Sequence, residues 1–99
     1  MAEVRLELND TQFVWESDKE RANIRAHDGV DFARAATVFF DPFLRIVDAS
    51  RNNEIREAAI GFDSQAVMLL VVHALIAGES IRIISARKAT RTERETYDS

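Results

Sequence analysis

VMLLVVHALIAGESIRIISARK, residues 67–88, carries the clearest structural signal in the chain. Val67 to Ile76 is apolar at both phases of a two-residue period, as in a strand buried on both faces. Ala77-Gly78-Glu79 interrupts it as a turn, and Ile81 to Arg87 resumes the period. Two such runs across a short turn predict an antiparallel pair, with Ile81–Arg87 beside the strand that holds Val71 and His73. Regular alternation puts Ile81, Ile83, Ser85 and Arg87 on one face. It puts Arg82, Ile84, Ala86 and Lys88 on the other, unless a bulge intervenes.

Outward from this pair, Ile55 to Phe62 reads as a strand ended by the Asp63-Ser64-Gln65 turn. Phe43 to Asp48 reads as another, followed by the polar turn Ala49 to Asn53. Thr90-Arg91-Thr92-Glu93 has capping-box spacing and opens a C-terminal helix to about Asp98. Upstream, Asp31 can cap a helix whose apolar face is Phe32, Ala35, Ala36 and Phe39, and Asp41-Pro42 stops it. Ser17-Asp18-Lys19-Glu20 is a second capping-box pattern, before a helix from about 18 to 27. Gly29 sits just past that helix, and Lys19, Asn23 and His27 fall on one polar stripe along it. Val4 to Leu8 and Phe13-Val14-Trp15 alternate around a turn-like Asn9-Asp10, which suits a short strand or ribbon. The predicted order is strand, two helices, four strands, helix. This is an α+β fold: an antiparallel sheet of about four strands after two N-terminal helices, closed by a C-terminal helix. No repeat or linker divides residues 1–99, so one domain is expected.

The chain has 99 residues and 46% apolar composition, enough for one modest core and too apolar for disorder. With no cysteine and two histidines, thiolate chemistry is excluded and a zinc site would need carboxylates or water. No metal or cofactor is expected. The uncharged run Ala66 to Gly78 is short of the roughly 20 residues that span a bilayer. The first ten residues lack the apolar centre of a signal peptide, so a cytoplasmic protein is expected.

The net charge of −4 is unevenly spread. Residues 1–50 hold six basic and ten acidic side chains, whereas residues 82–97 hold five basic against two acidic. A phosphate-bearing partner would therefore meet a local patch against the field of the whole molecule. The chain carries no GxGxxG, P-loop, HExxH or GxSxG motif. Glu54 and Glu57, near a turn, read as surface charges. Trp15 and the six phenylalanines suit a core better than a base-stacking platform.

Arginines within strands are the unusual feature. Arg56 shares a face with Ala58, Ile60 and Phe62, and Arg82 and Arg87 lie on the last strand. A guanidinium on a sheet needs water or an anion. Two readings stand: a cradle for phosphate oxygens, or ion pairs with Glu57, Glu93 or Asp63. Arg87, at the strand end, is placed to pair with Glu93. His73 follows Val67, Leu69 and Val71 on an apolar face, and His27 sits at a helix end. Glu93 and Tyr97 share a helix face at i, i+4.

These residues also form ordered blocks. Phe13-Val14-Trp15 leads to Lys19 and Asn23, then to His27, Gly29-Val30 and Phe32. Ala35-Ala36-Thr37-Val38-Phe39 leads to Asp41-Pro42, and Arg56 precedes Ile60-Gly61. Arg82-Ile83-Ile84-Ser85-Ala86-Arg87-Lys88-Ala89-Thr90 closes the set, with Glu93 and Tyr97 beyond. In these blocks the chain resembles BrnT, the toxin family of BrnT/BrnA type II toxin–antitoxin systems. It departs from the family pattern at Glu16, Ala26 and Asp28, around the first helix and its end. The resemblance implies a RelE-like ribonuclease toxin that inhibits translation and growth. It also implies a BrnA-type antitoxin partner, through which operator DNA is bound, and an RNA substrate. The residues expected to act on RNA are Arg82, Arg56, His73, Tyr97 and Glu93, with Arg87, Lys88, Lys19 and His27 as RNA contacts. The rival reading is a degenerate, non-catalytic interaction module within an antitoxin complex.

Overall fold

Asn9 and Asp10 turn the first segment back on itself. Both have left-handed backbones, φ 49° and 64°, as a two-residue hairpin loop matched to strand twist requires. The computed structural model describes residues 2–77 and 79–99. Its elements are β1 (Glu3–Leu8), β2 (Thr11–Glu16), α1 (Ser17–Ala26), α2 (Phe32–Thr37) and a 3-10 turn, Val38–Phe40. They continue as β3 (Arg45–Asp48), β4 (Glu57–Phe62), β5 (Met68–Ile76), β6 (Ser80–Lys88) and α3 (Arg91–Asp98).

The predicted sheet is corrected here. Among the described residues the strands form one six-stranded mixed sheet, in the order β1-β2-β6-β5-β4-β3. The β1–β2 hairpin precedes both helices and joins the sheet through a parallel pairing, Phe13 with Ile81 and Val14 with Arg82. A contact across that much sequence leaves no local period to read. The expected antiparallel run does form: β3–β4, β4–β5 and β5–β6 pair antiparallel, with Val71 opposite Ala86 and His73 opposite Ile83. Of the expected Ala77-Gly78-Glu79 turn, Gly78 lies outside the described residues. The Glu79 N–H donates to the Ile76 carbonyl at 3.1 Å. No helix of the described residues is long and apolar enough to cross a membrane.

Helices α1 and α2 cover one face. Phe13, Trp15, Val30, Phe32, Ala35, Ala36, Val38, Leu69, Val71, Ile83 and Ala86 form the core there. Asp31 caps α2 as expected, accepting from the Arg34 N–H at 2.8 Å. The Ser17–Glu20 capping box does not form, and no side chain caps α1. Glu20 instead accepts from the Trp15 indole at 3.0 Å and from the Phe32 N–H at 2.8 Å, tying β2, α1 and α2 together. Nor is Asn23 part of a solvated stripe. It is buried and hydrogen-bonds both backbone groups of Ala86, at 2.8 and 3.0 Å. On the opposite face, Ala58, Ile60, Met68 and Leu70 form a smaller cluster under Tyr97 of α3. The Thr90–Glu93 capping box that starts α3 is present in full.

Candidate functional site

The β5–β6 register shifts between Val72 and His73. Val72 pairs with Ser85 but His73 pairs with Ile83, so Ile84 is an extra residue. Such a bulge re-aims the side chains that follow. Regular alternation separates Arg82 from Arg87, whereas the bulge brings them together. Arg82 lies opposite Ala74, Ser85 opposite Val72 and Arg87 opposite Leu70. Val72 and Leu70 belong to the α3-side cluster, so all three β6 residues stand on that face. Helix α3 packs over β4; on the same face of β6, Arg82 is exposed and Ser85 and Arg87 are half-buried.

Arg82 is exposed, and its side chain makes no hydrogen bond or ion pair to any described residue. Val14 of β2 flanks it on one side and Ala74 on the other. Arg56, one residue before β4, continues the register toward Ala74 and is ion-paired with Glu54. A groove of about 230 Å³ lies between these segments, lined by Ile55, Arg56, Glu57, Ala74 and Leu75. The structure therefore places Arg56 and Arg82 on either side of Ala74.

Arg87 has a different role. Its two terminal nitrogens grip the Glu93 carboxylate, each at 2.8 Å. The ion-pair reading holds for this arginine. The Arg87 fork, and after it the Thr90 N–H, hold the Glu93 carboxyl below its ordinary value. Glu93 raises Arg87 in turn.

Tyr97 donates its hydroxyl to Asp41 Oδ2 at 2.7 Å and meets the Phe62 ring edge-on. The Asp41 carboxylate pushes the phenol up to about 12. For Asp41 the largest influence is burial, which acts upward. Hydrogen bonds from the Phe62 and Phe43 N–H groups and from Tyr97 outweigh it and hold the carboxyl low.

His73 is buried on the helix face, 2% exposed, edge-on to Phe39. Its Nδ1 lies 3.1 Å from the Val71 carbonyl and its Nε2 3.4 Å from Glu57. The sheet thus separates it from Arg82. Lys88 lies opposite Leu69 on the helix side, exposed at the strand end. Lys19 is exposed on α1, and His27 is half-buried at the C-terminal end of that helix. None of these three stands beside Arg82.

The sequence reading named Asp63 as an ion-pair candidate without its partner Arg34, and it missed the role of Asp41. Asp63 is buried and accepts from Arg34 Nε and Nη2 at 3.0 and 2.7 Å, and from the Gln65 and Val67 N–H groups. Burial acts upward on its carboxyl, but these donors, Val67 first, hold it low. A helix arginine meeting a turn aspartate 29 residues away leaves no local trace. Asp41 showed only as the residue before a proline. Ser85 was grouped with Ile81, Ile83 and Arg87; the bulge leaves it on the face of Arg87 and adds Arg82 in place of the two isoleucines.

A mixed sheet with two helices over one face and, on the other, one arginine without a side-chain partner among the described residues defines a small α+β protein. The family model described as "Ribonuclease toxin, BrnT, of type II toxin-antitoxin system" matches residues 15–93, and the chain belongs to that family. Such a toxin has an antitoxin partner. Among solved structures, the chain is similar to the Brucella abortus ribonuclease toxin BrnT, seen in a crystal structure at 1.1 Å resolution. The TM-score is 0.60 at 24% identity, over 78% of this chain and 94% of that one, which shows a shared fold. No curated protein matches.

Proposed function

We propose that the chain, acting as one RelE-like domain, cleaves RNA at the sheet face around Arg82 without a metal ion. It thereby inhibits translation and growth in the cytoplasm. A BrnA-type antitoxin neutralises it, and operator DNA is bound only through that antitoxin. The observation that carries the site is Arg82 itself, an exposed guanidinium with no partner among the described residues. It stands between Val14 and Ala74, with Arg56 beyond.

Such a site suits transfer within the RNA chain. The substrate's 2′-hydroxyl attacks its own adjacent phosphorus, the bond to the 5′ oxygen breaks, and a 2′,3′-cyclic phosphate and a 5′-hydroxyl form. Negative charge builds on the phosphorane oxygens, where a preorganised guanidinium fork acts most strongly. Arg82, with Arg56, supplies that charge. Of the side chains suited to proton transfer, Tyr97 keeps its proton at neutral pH and would have to release Asp41 to donate it. Glu93 is held ionised by Arg87, and His73 faces the helices. In this reading charge stabilisation exceeds acid–base assistance.

The test is cleavage of a labelled RNA by the purified chain, with and without chelator, for wild type, Arg82→Lys and Arg82→Gln. Both variants should lose roughly 10²–10³-fold in rate, the effect of removing one preorganised donor, with unchanged melting temperatures. Activity lost in chelator and restored by a divalent ion would overturn metal independence. Two stable, fully active variants would remove Arg82 from the chemistry. An inactive wild type that still binds its antitoxin would favour the interaction-module reading. The engagement of Glu93, Tyr97 and His73 in internal contacts is what gives that alternative weight.

A further inference from the structure

We propose that the Ser85 hydroxyl binds a substrate phosphate beside Arg82, with the Arg87–Glu93 pair bordering the two. This rests on the reading of the face around Arg82 as the RNA-cleaving surface and assigns it a residue of its own.

The bulge at Ile84 is the first support. Without it Ser85 would share the face of Ile83 and not that of Arg82, and with it Ser85 lies opposite Val72 on the face of both arginines. The second is the state of the hydroxyl. Ser85 is half-buried and makes no side-chain hydrogen bond to a described residue. No buried side-chain polar atom in the described structure lacks a partner, so the Ser85 Oγ reaches solvent. The third is spacing. Same-face residues on a strand recur at roughly 7 Å, and Arg82 and Ser85 lie opposite Ala74 and Val72, one such repeat apart on β5, so the two offer neighbouring donors to an extended anionic chain.

The neighbours suit such a ligand. Ala74 and Val72, opposite Arg82 and Ser85 on β5, are small and leave room above the strand. Arg87 is fixed by Glu93 and borders the two on the α3 side. A serine hydroxyl donating to a phosphate oxygen is a short, charge-assisted bond. Phosphate contacts of this kind set the register of a nucleic acid without reading its sequence.

The experiment uses a fluorescent RNA oligonucleotide with 2′-O-methyl groups, which has no nucleophile and binds without being cleaved. Anisotropy titrations compare wild type, Ser85→Ala, Ser85→Thr and Arg82→Gln across a salt series, with melting temperatures alongside. Ser85→Ala should weaken binding about tenfold, the worth of one hydrogen bond to a charged group, with an unchanged melting temperature. Ser85→Thr keeps the hydroxyl and should bind like wild type. The salt slope should be unchanged in Ser85→Ala and shallower by about 0.7 in Arg82→Gln, as expected for one lost single-strand phosphate contact. On cleavable RNA, Ser85→Ala should raise KM and leave kcat within about twofold, as loss of uniform binding does.

Wild-type affinity in Ser85→Ala would overturn the proposal and leave the RNA-binding face standing. Weaker binding that comes with a lower melting temperature and is not rescued by Ser85→Thr would make the residue structural and overturn it too. A wild-type chain that does not bind the oligonucleotide would overturn both readings.

Discussion

Replacing Asn23 with alanine tests how the strand that carries the arginines is held. Strand β2 pairs with β6 only as far as Val14 opposite Arg82. Beyond that point β6 has no strand neighbour on this edge. The Asn23 carboxamide takes the strand's place. Its Oδ1 accepts from the Ala86 N–H at 3.0 Å, and its Nδ2 donates to the Ala86 carbonyl at 2.8 Å and the Val30 carbonyl at 3.3 Å. Ala86 is fully buried and Asn23 is 6% exposed. Asn23→Ala therefore strips partners from three buried backbone groups, two on Ala86 and one on Val30, each costing about 1–3 kcal/mol when left unsatisfied. Some water will enter the space, so a loss of about 2–4 kcal/mol is expected. At roughly 4–8 °C per kcal/mol for a domain of this size, the melting temperature should fall by about 10–25 °C. Thermal and urea unfolding, followed by circular dichroism, measure it. Asn23→Asp should do no better, because it keeps one acceptor, loses both donors and sets a carboxylate against two carbonyls. A change below about 0.5 kcal/mol in Asn23→Ala, the scatter of ordinary surface substitutions, would refute the reasoning.

Other expectations follow from single contacts. Asp63, Asp41 and Glu93 are held below their ordinary values of 3.8, 3.8 and 4.5. Their stabilisation is thus complete above those values and is lost as pH falls through the lower folded ones. Urea unfolding from pH 7 to pH 2 should show a steep acid limb that Asp63→Asn flattens, and an unchanged limb would contradict the assignment. Gly61→Ala puts a methyl 3.1 Å from Asp41 Oδ2 and 3.2 Å from Val38 Cγ1. The carboxylate that accepts from Phe62 and Tyr97 must then move, and unfolding should show a loss of about 1–3 kcal/mol. Arg87→Lys keeps the charge and loses the two-pronged grip on Glu93. The pair is partly exposed, so the loss should be no more than about 1 kcal/mol. That is still a measurable fall in melting temperature, beside none for Arg82→Lys.

What the residues disclose depends on the range of the interaction. The β4–β5–β6 meander follows from alternation and short turns, and its pairing is as expected. The Thr90–Glu93 box is local and forms, with Arg87 drawn to Glu93. Ser17–Glu20 has the same spacing and fails, because Trp15 and Phe32 offer Glu20 better-placed donors in the folded chain. The parallel β2–β6 contact and the bulge at Ile84 are products of the whole sheet. No period in residues 81–87 marks which position is extra. The missing bulge matters most for the site, since it decides whether Arg82, Ser85 and Arg87 share a face.

The two arginines of β6 stand in opposite surroundings. Arg87 spends its fork on Glu93, and both groups shift toward their charged forms, so its charge is answered within the chain. Arg82 is answered by nothing among the described residues. Water solvates it, so its exposure costs the fold little, and the fold gains little from it. Its neighbours Val14 and Ala74 carry no charge to screen it, and the bulge aligns it with a hydroxyl that also has no partner. An anion arriving there meets donors already in place. It needs no internal ion pair to break and no buried group to uncover. The surroundings of Arg87 explain its presence by stability. Those of Arg82 leave its charge available to an external anion, which under the proposed function is RNA.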